Sequence, residues 1–242
     1  MKYYSGILLC VAALAVVYVF VNFKDGDHKN QLPVFAASLD ELYTSSENTN
    51  PNVILQKTVQ KYKNLLHYKS KGQTEFTTSV SGRVKQKYAD LSMEYTSPAQ
   101  MKLKWTENEQ EKEFIINENK AFAINGNGVR EDFDENSWGL SLSTGEYGNR
   151  KFLIAKGLFS VTSDMKSVID ILENPQIVRE ENLELQSCYV IEGDITQNLG
   201  KMSLWIDKEN LLIRKIKQYF PLDEKNNSSF EIQETYFDIE TK

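Results

Sequence analysis

A chain of 242 residues, 40% hydrophobic and 26% charged, is long enough for one large or two small domains and apolar enough to bury a core. Its 34 acidic against 28 basic residues leave a formal net charge of -6. That balance, without a basic footprint, excludes a nucleic-acid binder, whose affinity rests on clustered cations, and works against adhesion of the body to anionic lipid.

The first element is apolar. Gly6 to Phe23 reads GILLCVAALAVVYVFVNF without a charge. That approaches the ~20 residues that cross a bilayer core and exceeds the roughly 7–15 of a secretory core region. Lys24, Asp25, Asp27, His28 and Lys29 follow, and the nearest small-residue cleavage pattern, Val34-Phe35-Ala36, lies too far downstream. The reading is an uncleaved signal anchor over residues 1–24, with a cleaved signal peptide as the alternative. Cys10 follows Leu9 inside the apolar run, which does not fit a lipidation motif. A short N-terminal tail with Lys2 favours a cytoplasmic N-terminus and a body outside the cytoplasm, which in a bacterium is the periplasm. Residues 25–49 are polar and read as a tether. Residues 50–242 show no internal boundary and read as one domain.

Within that domain Asn50-Pro51 has the form of a helix start. Leu55, Val59, Tyr62 and Leu66 continue at helical spacing, which predicts a helix to about His67. The period then changes to two. Phe76, Thr78, Val80 and Val84 alternate with polar residues, then Leu91, Met93 and Tyr95, then, after Pro98, Met101, Leu103 and Trp105. Phe114-Ile115-Ile116 and Ala121-Phe122-Ala123-Ile124 flank a turn at Asn117-Glu118-Asn119. This is the pattern of an antiparallel meander.

Between Glu131 and Glu173, Phe152, Ile154, Leu158 and Phe159 predict one helix. Met165, Val168, Ile169 and Leu172, capped by Ser163 and stopped before Pro175, predict a second. Strands are expected again at 176–184, 186–195, 201–207, 210–219 and 229–239, with a hairpin turn at Asp207-Lys208-Glu209-Asn210. The fold class is therefore α+β: a curved antiparallel sheet, an incomplete β-barrel, with helices covering its concave face, preceded by an N-terminal transmembrane helix. A curled sheet with helices inside leaves an apolar cleft between them.

Several segments resemble a known family. They are Tyr62-Lys63-Asn64-Leu65-Leu66-His67-Tyr68 at the end of the first helix and Tyr95-Thr96-Ser97-Pro98-Ala99-Gln100-Met101-Lys102-Leu103-Lys104-Trp105. Cys188-Tyr189-Val190-Ile191-Glu192-Gly193 follows, with Leu204-Trp205-Ile206-Asp207 and Leu212-Ile213-Arg214-Lys215-Ile216. In this order, over roughly residues 50–240, they resemble the LolA-like outer-membrane lipoprotein-sorting domains, which include soluble carriers, anchored receptors and RseB-like stress sensors. The resemblance implies an incomplete barrel closed by helices around an apolar cavity for acyl chains, and it brings no catalytic residue. The apparent anchor departs from the soluble carriers and puts shuttling in doubt.

Chemistry-bearing residues are sparse. His28 and His67 are isolated, and Cys10 and Cys188 are too differently placed to pair, so Cys188 reads as a small buried hydrophobe. Gly126-Asn127-Gly128 is a turn, and Glu131-Asp132-Asp134-Glu135 lacks the glycine and alternation of a calcium loop. Asn226-Asn227-Ser228-Ser229 reads as a polar turn. No nucleophile–base pair stands out, so the expectation is no enzyme, no cofactor and no metal. The candidate ligand-binding residues of the apolar cavity are Phe76, Met93, Met101, Trp105, Phe122, Phe152, Phe159, Trp205 and Ile213. They are expected to line a cavity of several hundred Å3 for a lipid or lipoprotein acyl chain, at a membrane reached through the N-terminal helix, in lipoprotein or lipid trafficking. The alternative is an anchored protein-interaction or envelope-stress sensor domain, its cleft filled by its own side chains and its strand edges or an apolar patch offered to a protein partner in the envelope.

Overall fold

The computed structural model describes residues 50–118, 120–133, 151–162, 165–223 and 227–242. The anchor and tether of residues 1–49 lie outside the described residues, as do Asp134, Glu135, Ser163 and Asn226. The described residues belong to one compact unit. Among the described residues, no helix is long and apolar enough to cross a membrane.

The unit opens with helix α1, Pro51–Lys63. The Asn50 side chain accepts the Asn52 N–H at 2.9 Å, and Pro51 occupies the first turn, where its missing N–H costs nothing. Ile54, Leu55, Thr58 and Tyr62 are its buried residues. The helix ends at an Asn64 cap, earlier than the expected His67, because His67 is already paired with Thr96 in the sheet.

Six strands follow: β1 (His67–Val80), β2 (Arg83–Thr96), β3 (Gln100–Glu107), β4 (Gln110–Asn117), β5 (Lys120–Ile124) and β6 (Arg130–Phe133). After the middle segment come β7 (Leu172–Leu183), β8 (Gln186–Ile195), β9 (Gly200–Asp207), β10 (Ile213–Asp223) and β11 (Ser228–Thr241). All pair antiparallel in one curved, unclosed sheet of order β6-β5-β4-β3-β2-β1-β11-β10-β9-β8-β7. Two meanders are thus joined by one long-range seam, β1 with β11, from Tyr68↔Thr241 to Ser79↔Ser229.

Alternation sets the faces. Tyr68, Leu91, Met93, Tyr95, Met101, Leu103, Trp105, Phe114, Ile116, Leu204, Ile206, Ile216, Ile232 and Tyr236 meet in one buried cluster on the inner face. A smaller cluster of Cys188, Val190 and Trp205, with Leu183 against it, lies apart from it.

The two helices expected between residues 131 and 173 are not what covers this face. Residues 151–162 contain only two 3-10 turns, Leu153–Ala155 and Ser160–Thr162. Phe152 is left-handed (φ 55°), as is Gly157 (φ 71°), and both break a helical path despite the helix-like spacing of the apolar residues. Residues 168–171 are turns, and Leu172 opens β7. Pro175 lies in that edge strand beside a register shift between Glu173 and Gln176.

Candidate functional site: a self-filled inner face

Segment 151–162 lies against the inner face as a plug. Phe152, Ile154, Ala155, Leu158 and Phe159 are at most 1% exposed and belong to the same cluster as the strand residues. Phe159 sits in a socket of tyrosines from three elements, its ring 5.2 Å from Tyr62 of α1, 5.3 Å from Tyr68 of β1 and 4.7 Å from Tyr95 of β2. Phe152 packs edge-on against Trp105 of β3, at 5.9 Å.

Polar contacts fasten the plug. Glu234 on β11 is fully buried, and its carboxylate accepts the Leu153 N–H at 2.7 Å, the Thr74 hydroxyl at 3.2 Å and the Tyr236 hydroxyl. Burial raises the Glu234 pKa, while the hydrogen bonds from Tyr236 and Leu153 and the charge of Lys156 oppose the rise. Tyr236 is also raised well above its ordinary value, by burial and then by Glu234. Lys156 keeps part of its surface in water, yet desolvation lowers its pKa to about 8, against the pull of Glu234. Within the plug the Thr162 hydroxyl accepts the Gly157 N–H at 3.1 Å and donates to the Ala155 carbonyl at 2.7 Å. At its start Lys151 pairs with Glu107 at 3.3 Å, its Nζ 5.5 Å from the Phe76 ring.

Seven of the nine residues expected to line a cavity meet here. Met93, Met101, Trp105, Phe152, Phe159 and Ile213 are buried in the inner cluster and Phe76 is half-buried at its margin. The register shift between Ile213 and Lys215 turns Ile213 inward, where its N–H donates to the Tyr62 hydroxyl at 3.1 Å. Two residues do not join them. Phe122 falls between the buried Ala121 and Ala123, hence on the other face, under the Arg130 guanidinium at 3.9 Å. Trp205 likewise alternates out of the inner set Met202, Leu204 and Ile206, and lies between Lys215 at 4.7 Å and Arg179 at 5.8 Å.

The inner face is therefore occupied by the chain itself. A cleft of about 200 Å3 lies elsewhere, between the start of α1 and the β9–β10 turn, lined by Val53, Ile54, Lys57, Tyr189, Lys208, Glu209 and Leu211, and none of the nine residues borders it.

Tyr62, Tyr68 and Tyr95 lie in the family-like segments, but neither their convergence on Phe159 nor the buried place of Glu234 is read from the sequence. Glu234 carried a signal, an acid between Ile232 and Tyr236 at an inward position of a strand. Asp207 and Arg214 of the family-like motifs prove architectural. Asp207 Oδ1 accepts the Glu209 and Asn210 N–H groups at 2.9 and 3.4 Å, closing the turn, and Oδ2 accepts Arg214 Nη2 at 2.7 Å. Among the described residues, no group of three or more His, Cys, Asp or Glu side chains could hold a metal ion.

No protein-family model and no curated protein matches the sequence. Solved structures do. The chain is similar to a LolA superfamily protein from Nitrosomonas europaea, at 12% identity over 79% of this chain and 93% of that one, with a TM-score of 0.32. It is similar to a putative outer membrane lipoprotein-sorting protein domain from Vibrio parahaemolyticus at 11% identity, over 78% and 91% of the chains, TM-score 0.34. It is also similar to a chain of the MucA/MucB complex of Pseudomonas aeruginosa at 12% identity, over 79% of this chain and 56% of that one, TM-score 0.42. Two of these carry the family description that the sequence motifs resemble.

Proposed function

We propose that residues 50–242 form a non-catalytic, extracytoplasmic binding domain that takes an acyl chain of a lipid or lipoprotein in exchange for its own segment 151–162. The observation that carries this reading is the construction of the plug: a largely apolar inner face covered by the irregular segment 151–162, which is fastened at a buried carboxylate.

Magnitudes make the exchange feasible. The apolar side chains of Phe152, Leu153, Ile154, Leu158 and Phe159 gain together on the order of 10 kcal/mol from burial. A palmitoyl chain gains about 12 kcal/mol at ~0.8 kcal/mol per buried CH2. Neither occupant dominates, so a ligand binding only the open form can shift the population. The resemblance of the sequence motifs to lipoprotein-sorting domains agrees with this ligand class, and the N-terminal apolar segment would hold the site near a membrane.

A second reading has its own support. A filled inner face is what an interaction or sensor domain would show, with its partner surface elsewhere. Native mass spectrometry on residues 44–242 separates the two. Uptake of one palmitate or phospholipid per chain, weakened at least ~10-fold by Met93→Lys, supports the acyl-chain site. No uptake of any offered lipid would leave the interaction reading.

A further inference from the structure

β1 pairs with β2 along its whole length, but β3 pairs only with Asp90–Thr96. The flank of β2 over residues 83–89 therefore meets no strand among the described residues. Residues 83–88 are all exposed. Arg83, Lys85 and Lys87 stand opposite Val80, Thr78 and Phe76, so they share the inner face of the sheet beyond the plug. Among the described residues none of the three has an ion-pair partner, whereas Lys71, Lys104 and Lys217 of nearby strands are paired with carboxylates. Beside them runs an aromatic row, Phe76 stacked on Phe230 at 6.3 Å and Phe230 against Phe220 at 6.3 Å.

We propose that this flank takes an extended acidic polypeptide segment as an added strand. The backbone N–H and C=O groups of this flank, which meet no strand among the described residues, supply the pairing. Cations at every second residue, roughly 7 Å apart, match carboxylates at alternate positions of the incoming strand. The charges also select against other occupants. The same edge of a second copy would set cations against cations, and hydrocarbon could not satisfy the open backbone groups. The protein as a whole is acidic, so this cationic strand is where an acidic partner meets least repulsion. The proposal goes beyond the acyl-chain reading and does not rest on it.

The test is fluorescence anisotropy on the full chain in neutral detergent, with a labelled peptide of alternating glutamate and valine. Saturable binding is expected, weakened at least ~10-fold by the triple variant Arg83→Glu, Lys85→Glu, Lys87→Glu, and ~3-fold by Lys85→Glu alone. The variants alter exposed side chains, and an unchanged unfolding midpoint confirms that they fold. A fully N-methylated peptide, which keeps its charges but cannot pair as a strand, should lose binding to the same extent. Absent binding, equal binding of the N-methylated peptide, or an unaffected triple variant would overturn the proposal. So would phosphatidylglycerol vesicles captured more tightly than the peptide and lost in the triple variant.

Discussion

Glu234 fastens the plug to the sheet through its buried carboxylate. Its folded pKa is raised by burial, so the folded chain holds the proton more tightly than the unfolded one. The stability it contributes is complete below the ordinary carboxylate range and is lost as pH rises through the raised value. Lys156 runs the other way, because its folded value of about 8 lies below the ordinary 10.5. Between those two values the unfolded chain binds more protons, and stability rises with pH. Urea midpoints should therefore fall as pH rises above the ordinary carboxylate range and recover above about pH 8. Glu234→Gln should flatten the first limb and Lys156→Met the second. Glu234→Ala, which orphans the Leu153 N–H, should cost about 1–3 kcal/mol in urea unfolding. At Asp207 the loss should be larger, about 3–5 kcal/mol for Asp207→Ala, because Arg214 is left largely buried without its partner. At this scale strict alternation showed which residues face inward: Met93, Met101 and Trp105 lie in polar–apolar rows. Phe122 and Trp205 sit in runs where every neighbour is apolar, so period two cannot assign a face.

Segment 151–162 is irregular apart from two short 3-10 turns, yet it is rich in buried apolar side chains. Its spacing imitates a helix, but a left-handed Phe152 and the positive φ of Gly157 dictate a folded-back path that no periodicity encodes. Gly157 is required there, since a Cβ would come within 2.3 Å of the Met165 carbonyl oxygen and 2.5 Å of the Ser167 nitrogen. Gly157→Ala should loosen the plug without unfolding the sheet. Hydrogen exchange should accelerate at least ~10-fold at Ala155 and Gly157 to Thr162, and stay unchanged in β3 and β9. Equal acceleration in the strands would show that the plug and sheet open as one unit. α1 was legible because its cap, its proline and its stripe are all local signals.

For the whole molecule, the decisive pairing is β1 with β11, which joins the two meanders through residues far apart in sequence. The meanders were legible because their turns are short and local. Their junction was not, because nothing local to Phe76 indicates Ile232 as its neighbour. Removing residues 228–242 should leave both meanders with an open edge and abolish cooperative thermal unfolding. In the proposed exchange an acyl chain enters as segment 151–162 leaves. Hydrogen exchange of residues 44–242, with and without palmitate or a phospholipid, tests it directly. Exchange across residues 153–162 should be faster with lipid, while Met93, Trp105 and Leu204 stay protected. Unchanged protection of 153–162 at saturating lipid would contradict it.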